Sequence, residues 1–110
     1  MDLSYEVKES YAEIKAAGRL NMVSAPKLRE MVADVIAEGT SRIVVNLEDT
    51  AFMDSSGLGA LIGCLKAARL AGGDLRIAAV QPQVQMVLGL TSMDKVLTSH
   101  PSAAEAFSHD

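Results

Sequence analysis

Two adjacent serines follow an aspartate at the start of a predicted helix, in the segment Asp54-Ser55-Ser56-Gly57. A serine there is well placed to carry a phosphate, because the first turn of a helix presents unpaired N–H groups and the positive end of the helix dipole. Gly57 and Gly59 have no side chains, so we expect them to let another backbone or a kinase active site approach closely. The structural alternative is that Asp54 or Ser55 caps the helix, Ser56 is solvated, and the glycines allow tight packing on a sheet. Spacing alone leaves both interpretations open.

Enzyme motifs fit this segment poorly. The glycines from Gly57 to Gly63 resemble a dinucleotide-binding fingerprint, but the third glycine comes one position too late. A hydrolase nucleophile elbow has glycine two positions before its serine, and here Met53 and Asp54 occupy those positions. Neither nucleotide binding nor Ser-based hydrolysis is therefore predicted.

Other reactive side chains are also weak candidates. His100 and His109 stand in polar sequence near the C-terminus, so we expect surface positions and no Ser–His dyad. Asp49 and Asp54 are two carboxylates without a His, Cys or further acid in register, which makes a poor metal site. Cys64 lies among apolar residues and is interpreted as a core residue. We predict no catalytic residue, no metal and no cofactor, and hence a protein that is not an enzyme.

The elements that position the turn follow from hydrophobic spacing and from glycine and proline signals. In chain order they are a hairpin (3–7 and 12–20), a helix (24–39), a strand (42–47), a helix (54–72), a strand (75–80), a helix (82–88), an edge strand (96–97) and a last helix from 102. Ser24 is the expected cap of the first helix, with Pro26 in its first turn, and Ser102 begins a capping box with Glu105. The strand 42–47 is apolar on both faces, which is typical of a central strand covered on both sides.

This order predicts an α/β fold with a mixed sheet of four to five strands and about four helices packed mainly on one side. We find no internal repeat, low-complexity stretch or linker, and expect one domain spanning residues 1–110.

Composition restricts the partners. The formal charge of −4 and the pI of about 5.1 argue against nucleic acid, since phosphate binding needs a basic surface. No apolar run approaches the roughly 20 residues that span a bilayer, and the N-terminus has no signal-peptide pattern. We expect a cytoplasmic protein that binds other proteins, inserts into no membrane, and is a monomer or weak dimer.

The segment from Ile43 to Gly59, IVVNLEDTAFMDSSGLG, resembles the signature of bacterial anti-sigma factor antagonists, the single-domain members of the STAS family. The resemblance extends over nearly the whole chain. It includes the segments Gly18-Arg19-Leu20-Asn21, Ala71-Gly72-Gly73-Asp74-Leu75 and Leu90-Thr91-Ser92-Met93-Asp94-Lys95-Val96.

The resemblance implies a STAS-like sheet with flanking helices, no catalysis, and reversible phosphorylation of Ser55, with Ser56 as the lesser candidate. In such a circuit, the unphosphorylated antagonist binds a serine kinase that doubles as an anti-sigma factor, and the sigma factor is released. The kinase uses ATP and Mg²⁺ to inactivate the antagonist, and a serine phosphatase restores it. The expected partner-binding residues are Asn21, Asp54, Ser55, Ser56, Gly57, Leu58 and Gly59. An alternative role is a scaffold subunit of a signalling assembly or of a membrane transport complex.

One position departs from the family pattern. Asn21 follows the second predicted strand, where relatives often have aspartate, and we expect it near the Ser55 turn. The missing charge leaves three outcomes open: an altered rate of phosphorylation, a different partner, or no effect.

Overall fold

The hairpin, helices and strands predicted up to residue 90 are present in the predicted order, with one additional strand at Thr50–Met53. The computed structural model describes residues 1–108. Its strands are β1 (Asp2–Val7), β2 (Ala12–Leu20), β3 (Arg42–Asn46), β4 (Thr50–Met53), β5 (Asp74–Ala78) and β6 (Ser99–His100). Its α-helices are α1 (Ala25–Ala37), α2 (Ser55–Leu70) and α3 (Pro82–Leu90).

The strands form one mixed sheet in the order β1-β2-β3-β5-β6, with β4 paired to β2 beside this path. Within residues 1–108, the opening hairpin of β1 with β2 is antiparallel and the other pairings are parallel. The predicted α/β architecture is confirmed. The described part of the sheet has six strands, whereas the sequence predicts four to five. The difference comes from the short strands β4 and β6, whose four and two residues show no clear strand pattern.

One edge of β2 serves two parallel partners. Its first half pairs with β3, and its last residues pair with β4 after a shift in register at Gly18, where φ is +115°. The buried hydroxyl of Thr50 donates to the carbonyl of Ala16 at 2.7 Å and attaches the start of β4 to β2. This arrangement brings the end of β4, and the turn that follows it, alongside the end of β2 at Leu20.

The main core lies between the sheet and the three α-helices, which supply one continuous apolar cluster. On the opposite face, Val44 and Ala78 are covered by Ala103, Ala106 and Phe107 from the C-terminal segment. The strand β3 is therefore covered on both sides, as its apolar sequence predicts. No helix within residues 1–108 is long and apolar enough to cross a membrane.

Two predictions near the C-terminus are wrong. Residues 96–97 are not an edge strand, because the N–H of Leu97 already donates to Met93 at 2.8 Å at the end of a 3₁₀ turn. The edge strand is instead β6. The predicted last helix is a single 3₁₀ turn, Ala103–Glu105, and Ser102 makes no side-chain cap bond. Burial of Ala103 and Ala106, three positions apart, matches the three-residue period of a 3₁₀ turn.

Candidate functional site

The turn between β4 and α2 is fixed by Asp54. Its carboxylate Oδ1 accepts the N–H of Gly57 at 3.0 Å, which satisfies one of the unpaired donors at the start of α2. The N–H of Asp54 donates to the carbonyl of Leu20 at 3.2 Å and joins the turn to the end of β2. Spacing allowed either Asp54 or Ser55 as the cap of α2. In the structure the cap is Asp54, and the side chain of Ser55 has no capping role.

Ser55 and Ser56 lie in the first turn of α2, and their side chains do not cap the helix. Ser55 is exposed and Ser56 is partly exposed. Neither hydroxyl forms a hydrogen bond to any other residue in the range 1–108. The Oγ of Ser55 is therefore open to an approaching enzyme, and its reaction would break no contact of the fold.

The two glycines of the turn have different roles. A Cβ on Gly57 would collide with the carbonyl oxygen of Leu20, so Gly57 allows α2 to pack against the end of β2. A Cβ on Gly59 would meet nothing nearer than a guanidinium nitrogen of Arg29 at 4.0 Å. The expectation that Gly57 opens the site to a kinase is wrong, and the packing alternative holds for it. Gly59 is exposed and remains an opening.

Leu58 also lies on the inner face of α2. Its side chain is only 7% exposed and belongs to the main core. Burial leaves little of Leu58 or Gly57 exposed to a partner protein, and their prediction as partner-binding residues stays a prediction.

A shallow groove lies in front of the two serines. It is lined by residues from the loop before α1, from α1 and from α2: Met22, Ala25, Pro26, Arg29, Ser55, Ser56 and Gly59. Met22 and its neighbour Val23 are each 72% exposed, so two adjacent apolar side chains face solvent beside the groove. Sequence reasoning missed Met22 and Arg29, because Met22 is a single apolar residue of a loop and Arg29 resembles any other exposed cation on the polar face of α1.

Asn21 shapes the loop beside this groove. Its Oδ1 accepts the N–H groups of Val23 at 3.0 Å and Ser24 at 3.3 Å. Both bonds use Asn21 only as an acceptor, so an aspartate would make them equally well. The loop geometry therefore does not depend on which of the two residues is present, and any difference must come from charge.

Ser24 stands at the start of α1 as predicted, but its hydroxyl does not cap the helix. The hydroxyl donates to the carbonyl of Arg19 at 2.7 Å and accepts the N–H of Asn21 at 2.9 Å. Ser24 thus ties the loop to β2. Pro26 lies in the first turn of α1, as predicted.

Gln83 of α3 supports the turn from the other side. The N–H of Met53 donates to Oε1 of Gln83 at 2.8 Å, and Nε2 of Gln83 donates to the carbonyl of Met53 at 3.0 Å. One side chain thereby pairs both backbone groups of the last residue of β4. The residue directly before Asp54 is held to β2 on one edge and to α3 on the other.

We expect Gln83→Leu to destabilise the protein by about 1 to 2 kcal/mol, because it leaves the backbone N–H and C=O of Met53 without their partner. Gln85→Leu is the matched control on the same helix, since Gln85 is exposed and its replacement should change stability by less than about 0.5 kcal/mol. Urea unfolding of both variants measures the difference. Equal midpoints would show that Gln83 does not brace the turn.

The remaining reactive residues lie apart from the groove or inside the fold. Cys64 is 2% exposed, and burial raises the pKa of its thiol to about 11, so it is a protonated core residue as predicted. His100 is partly exposed, so the expected surface position is confirmed in part, but its Nε2 is buried and finds no partner within residues 1–108. His109 lies outside the described residues. Within residues 1–108, no group of three His, Cys, Asp or Glu side chains is arranged to hold a metal ion.

Comparison with known proteins identifies the family. Residues 2–106 match the STAS domain family model. The chain is 31% identical over 99 residues to a Staphylococcus aureus protein named anti-sigma-B factor antagonist, covering 88% of this chain and 92% of that one. This protein therefore belongs to the STAS domain family, as its signature segment indicates.

Two solved structures confirm the fold. An anti-sigma factor antagonist from Mycobacterium paratuberculosis superposes with a TM-score of 0.84 at 24% identity, covering 96% of this chain and 89% of that chain. The phosphorylated form of the Bacillus cell fate determinant SpoIIAA superposes with a TM-score of 0.72 at 22% identity, covering 96% of each chain. At these identities the superpositions establish a common architecture.

Proposed function

We propose that this protein is an anti-sigma factor antagonist that is switched by phosphorylation of Ser55. The unphosphorylated form binds a serine kinase that acts as the anti-sigma factor, and the sigma factor is released. The observation that carries the proposal is the exposed, unbonded hydroxyl of Ser55 at the start of α2. The 31% identity to the S. aureus anti-sigma-B factor antagonist supports the same class of partner.

The phosphorylation step needs only the hydroxyl from this chain. The Ser55 Oγ attacks the γ-phosphorus of ATP bound with Mg²⁺ in the kinase, ADP leaves, and the hydroxyl proton passes to a base of the kinase. A phosphatase hydrolyses the serine phosphate and restores the hydroxyl. ATP and Mg²⁺ belong to the kinase, so the antagonist itself uses no cofactor.

The partner contacts a surface that we call the docking face, formed by the exposed residues around the groove: Met22, Val23, Arg29, Ser55, Ser56 and Gly59. Two exposed apolar side chains beside small polar residues suit a protein–protein contact, in which apolar anchors supply affinity. Gly59 lets a partner approach the serines without a side chain in the way.

Phosphorylation weakens this contact through charge. A phosphate adds about −1.5 to −2 charges, and on Ser55 it stands next to the carboxylate of Asp54. A partner that docks over the phosphate and the Asp54 carboxylate would remove water from two neighbouring negative charges, which costs free energy. A shift of the complex from about 99% bound to 99% free takes roughly 5.5 kcal/mol, and a desolvated dianion is a source of that order.

Mapping of the modified residue tests the proposal. Incubation with the cognate kinase and ATP should place one phosphate on Ser55, located by mass spectrometry of the digested protein. Ser55→Ala should take up no phosphate, while Ser56→Ala should be modified like the wild type. Phosphate on Ser56 alone, or on neither serine, would contradict the assignment.

A permanent scaffold role makes the opposite prediction about association. A scaffold stays in a stoichiometric complex whether or not it is phosphorylated. A switch appears as a free monomer or weak dimer after phosphorylation and as a kinase complex before it. Size-exclusion chromatography with light scattering on both forms separates the two roles.

A further inference from the structure

Building on the function proposed above, we infer that Arg29 is the counter-charge of the phosphate on Ser55. Arg29 belongs to α1, yet its guanidinium lies over α2, in the groove that the serines line. The pairing would hold the phosphate in the groove and withdraw Arg29 from the docking face in the same step.

The guanidinium of Arg29 lies beside two glycines one turn apart on α2. Its Nη2 lies 4.0 Å from the place of a Cβ on Gly59, and its Nε lies 3.8 Å from the place of a Cβ on Gly63. Residues four positions apart lie on the same face of a helix, so the two glycines form a strip without side chains. The guanidinium lies beside that strip, where a Cβ on either glycine would be in ordinary contact with it.

The charge of Arg29 is not used within the fold. Among residues 1–108, Arg29 has no carboxylate within ion-pair distance, whereas Lys8, Arg69 and Arg76 each form an ion pair. The nearest acid of the turn, Asp54, points its Oδ1 to the backbone of α2. Arg29 is also exposed, so it can rotate toward a new anion at little cost.

A phosphate on Ser55 lies within reach of this guanidinium. Ser55 and Gly59 are four positions apart, which separates their Cβ positions by roughly 5 to 6 Å along one helix face. Arg29 lies 4.0 Å from the second of these positions. The phosphate extends the serine side chain, so rotation of the two side chains brings its oxygens to the guanidinium. Arginine binds phosphate through two parallel N–H donors, which a lysine cannot reproduce.

Phosphorus NMR on protein carrying phosphoserine at position 55 tests the inference. The phosphoserine is introduced during translation, so no kinase is needed. A nearby guanidinium stabilises the dianion and lowers the second pKa of the phosphate, which is ordinarily about 6. We expect Arg29→Gln to raise that pKa by roughly half a unit and Arg29→Lys to raise it by less. The difference should shrink at 1 M salt, because the pair is exposed.

Lys27→Gln provides the matched control. Lys27 is an exposed cation on the same helix, but residues two positions apart face different directions. Its replacement changes the net charge equally and should leave the phosphate pKa unchanged. An unchanged pKa in Arg29→Gln, or equal shifts in the two variants, would overturn the role of Arg29. Failure of the kinase to modify Ser55 would instead overturn the proposed function and leave the NMR result standing.

Discussion

Gly57→Ala is expected to destabilise the protein by about 2 to 3 kcal/mol. The added Cβ would overlap the carbonyl oxygen of Leu20 and come within 2.8 Å of its Cγ. The backbone of β2 cannot move aside freely, because the same carbonyl accepts the N–H of Asp54. Overpacking against fixed backbone costs energy of this order. Urea unfolding measures the loss.

Gly59→Ala is the control, since it makes the same chemical change two residues later. Its Cβ would meet only Arg29 at 4.0 Å, an ordinary contact. Alanine is a better helix residue than glycine, so we expect a gain of about 0.5 to 1 kcal/mol. Similar free energies of unfolding for the two variants would refute the packing role assigned to Gly57.

Ser55→Asp is expected to weaken binding to the kinase by roughly a hundredfold, or about 3 kcal/mol, while Ser55→Ala keeps near wild-type affinity. The aspartate places a second carboxylate beside Asp54 on the docking face, and like charges at an interface cost several kcal/mol. The alanine adds no charge. Calorimetry with ADP-bound kinase compares the variants without turnover.

Ser10→Asp separates a local charge effect from a change in net charge. Ser10 is exposed in the hairpin turn before β2, whereas the Ser55 turn lies beside the other end of that strand. Nine residues of β2 separate the two ends by roughly 26 Å at 3.3 Å per residue. The Ser10 variant should bind like the wild type. Equal affinity of Ser55→Asp and Ser55→Ala would contradict the electrostatic switch.

Much of the fold is predictable because it follows from local patterns. The hairpin follows from alternating apolar residues, β3 from a short apolar run, and α1, α2 and α3 from helical spacing with a glycine or proline at a boundary; all five are confirmed. The strand β4 carries no such period in its four residues, TAFM. It is a strand because β2 offers a free edge to it, which is a long-range property. The C-terminal segment was mispredicted for the same reason, since its conformation depends on how it covers β3.

The site divides in the same way. The sequence pattern predicts a helix start at this turn and limits its cap to Asp54 or Ser55, because caps are local; the structure then identifies Asp54 as the cap. Gln83 contacts the backbone of Met53, 30 residues earlier in the chain. Local sequence spacing cannot predict this contact or the position of Arg29, because both depend on how distant segments pack. Gly57 was interpreted as an opening because a glycine does not show whether its missing side chain faces solvent or a neighbouring strand. Only the position of Leu20 decides that.

The anchoring of the turn by Asp54, Leu20 and Gln83 has a consequence for timing. These bonds hold the backbone on both sides of Ser55 without using its hydroxyl, so we expect the two chemical states of the proposed switch to share one backbone conformation. We then expect no slow backbone rearrangement between them, of the kind that takes microseconds to seconds in many regulated proteins. The lifetime of each state is then set by the rates of the kinase and the phosphatase alone, and the response of the circuit can be as fast or as slow as those two enzymes.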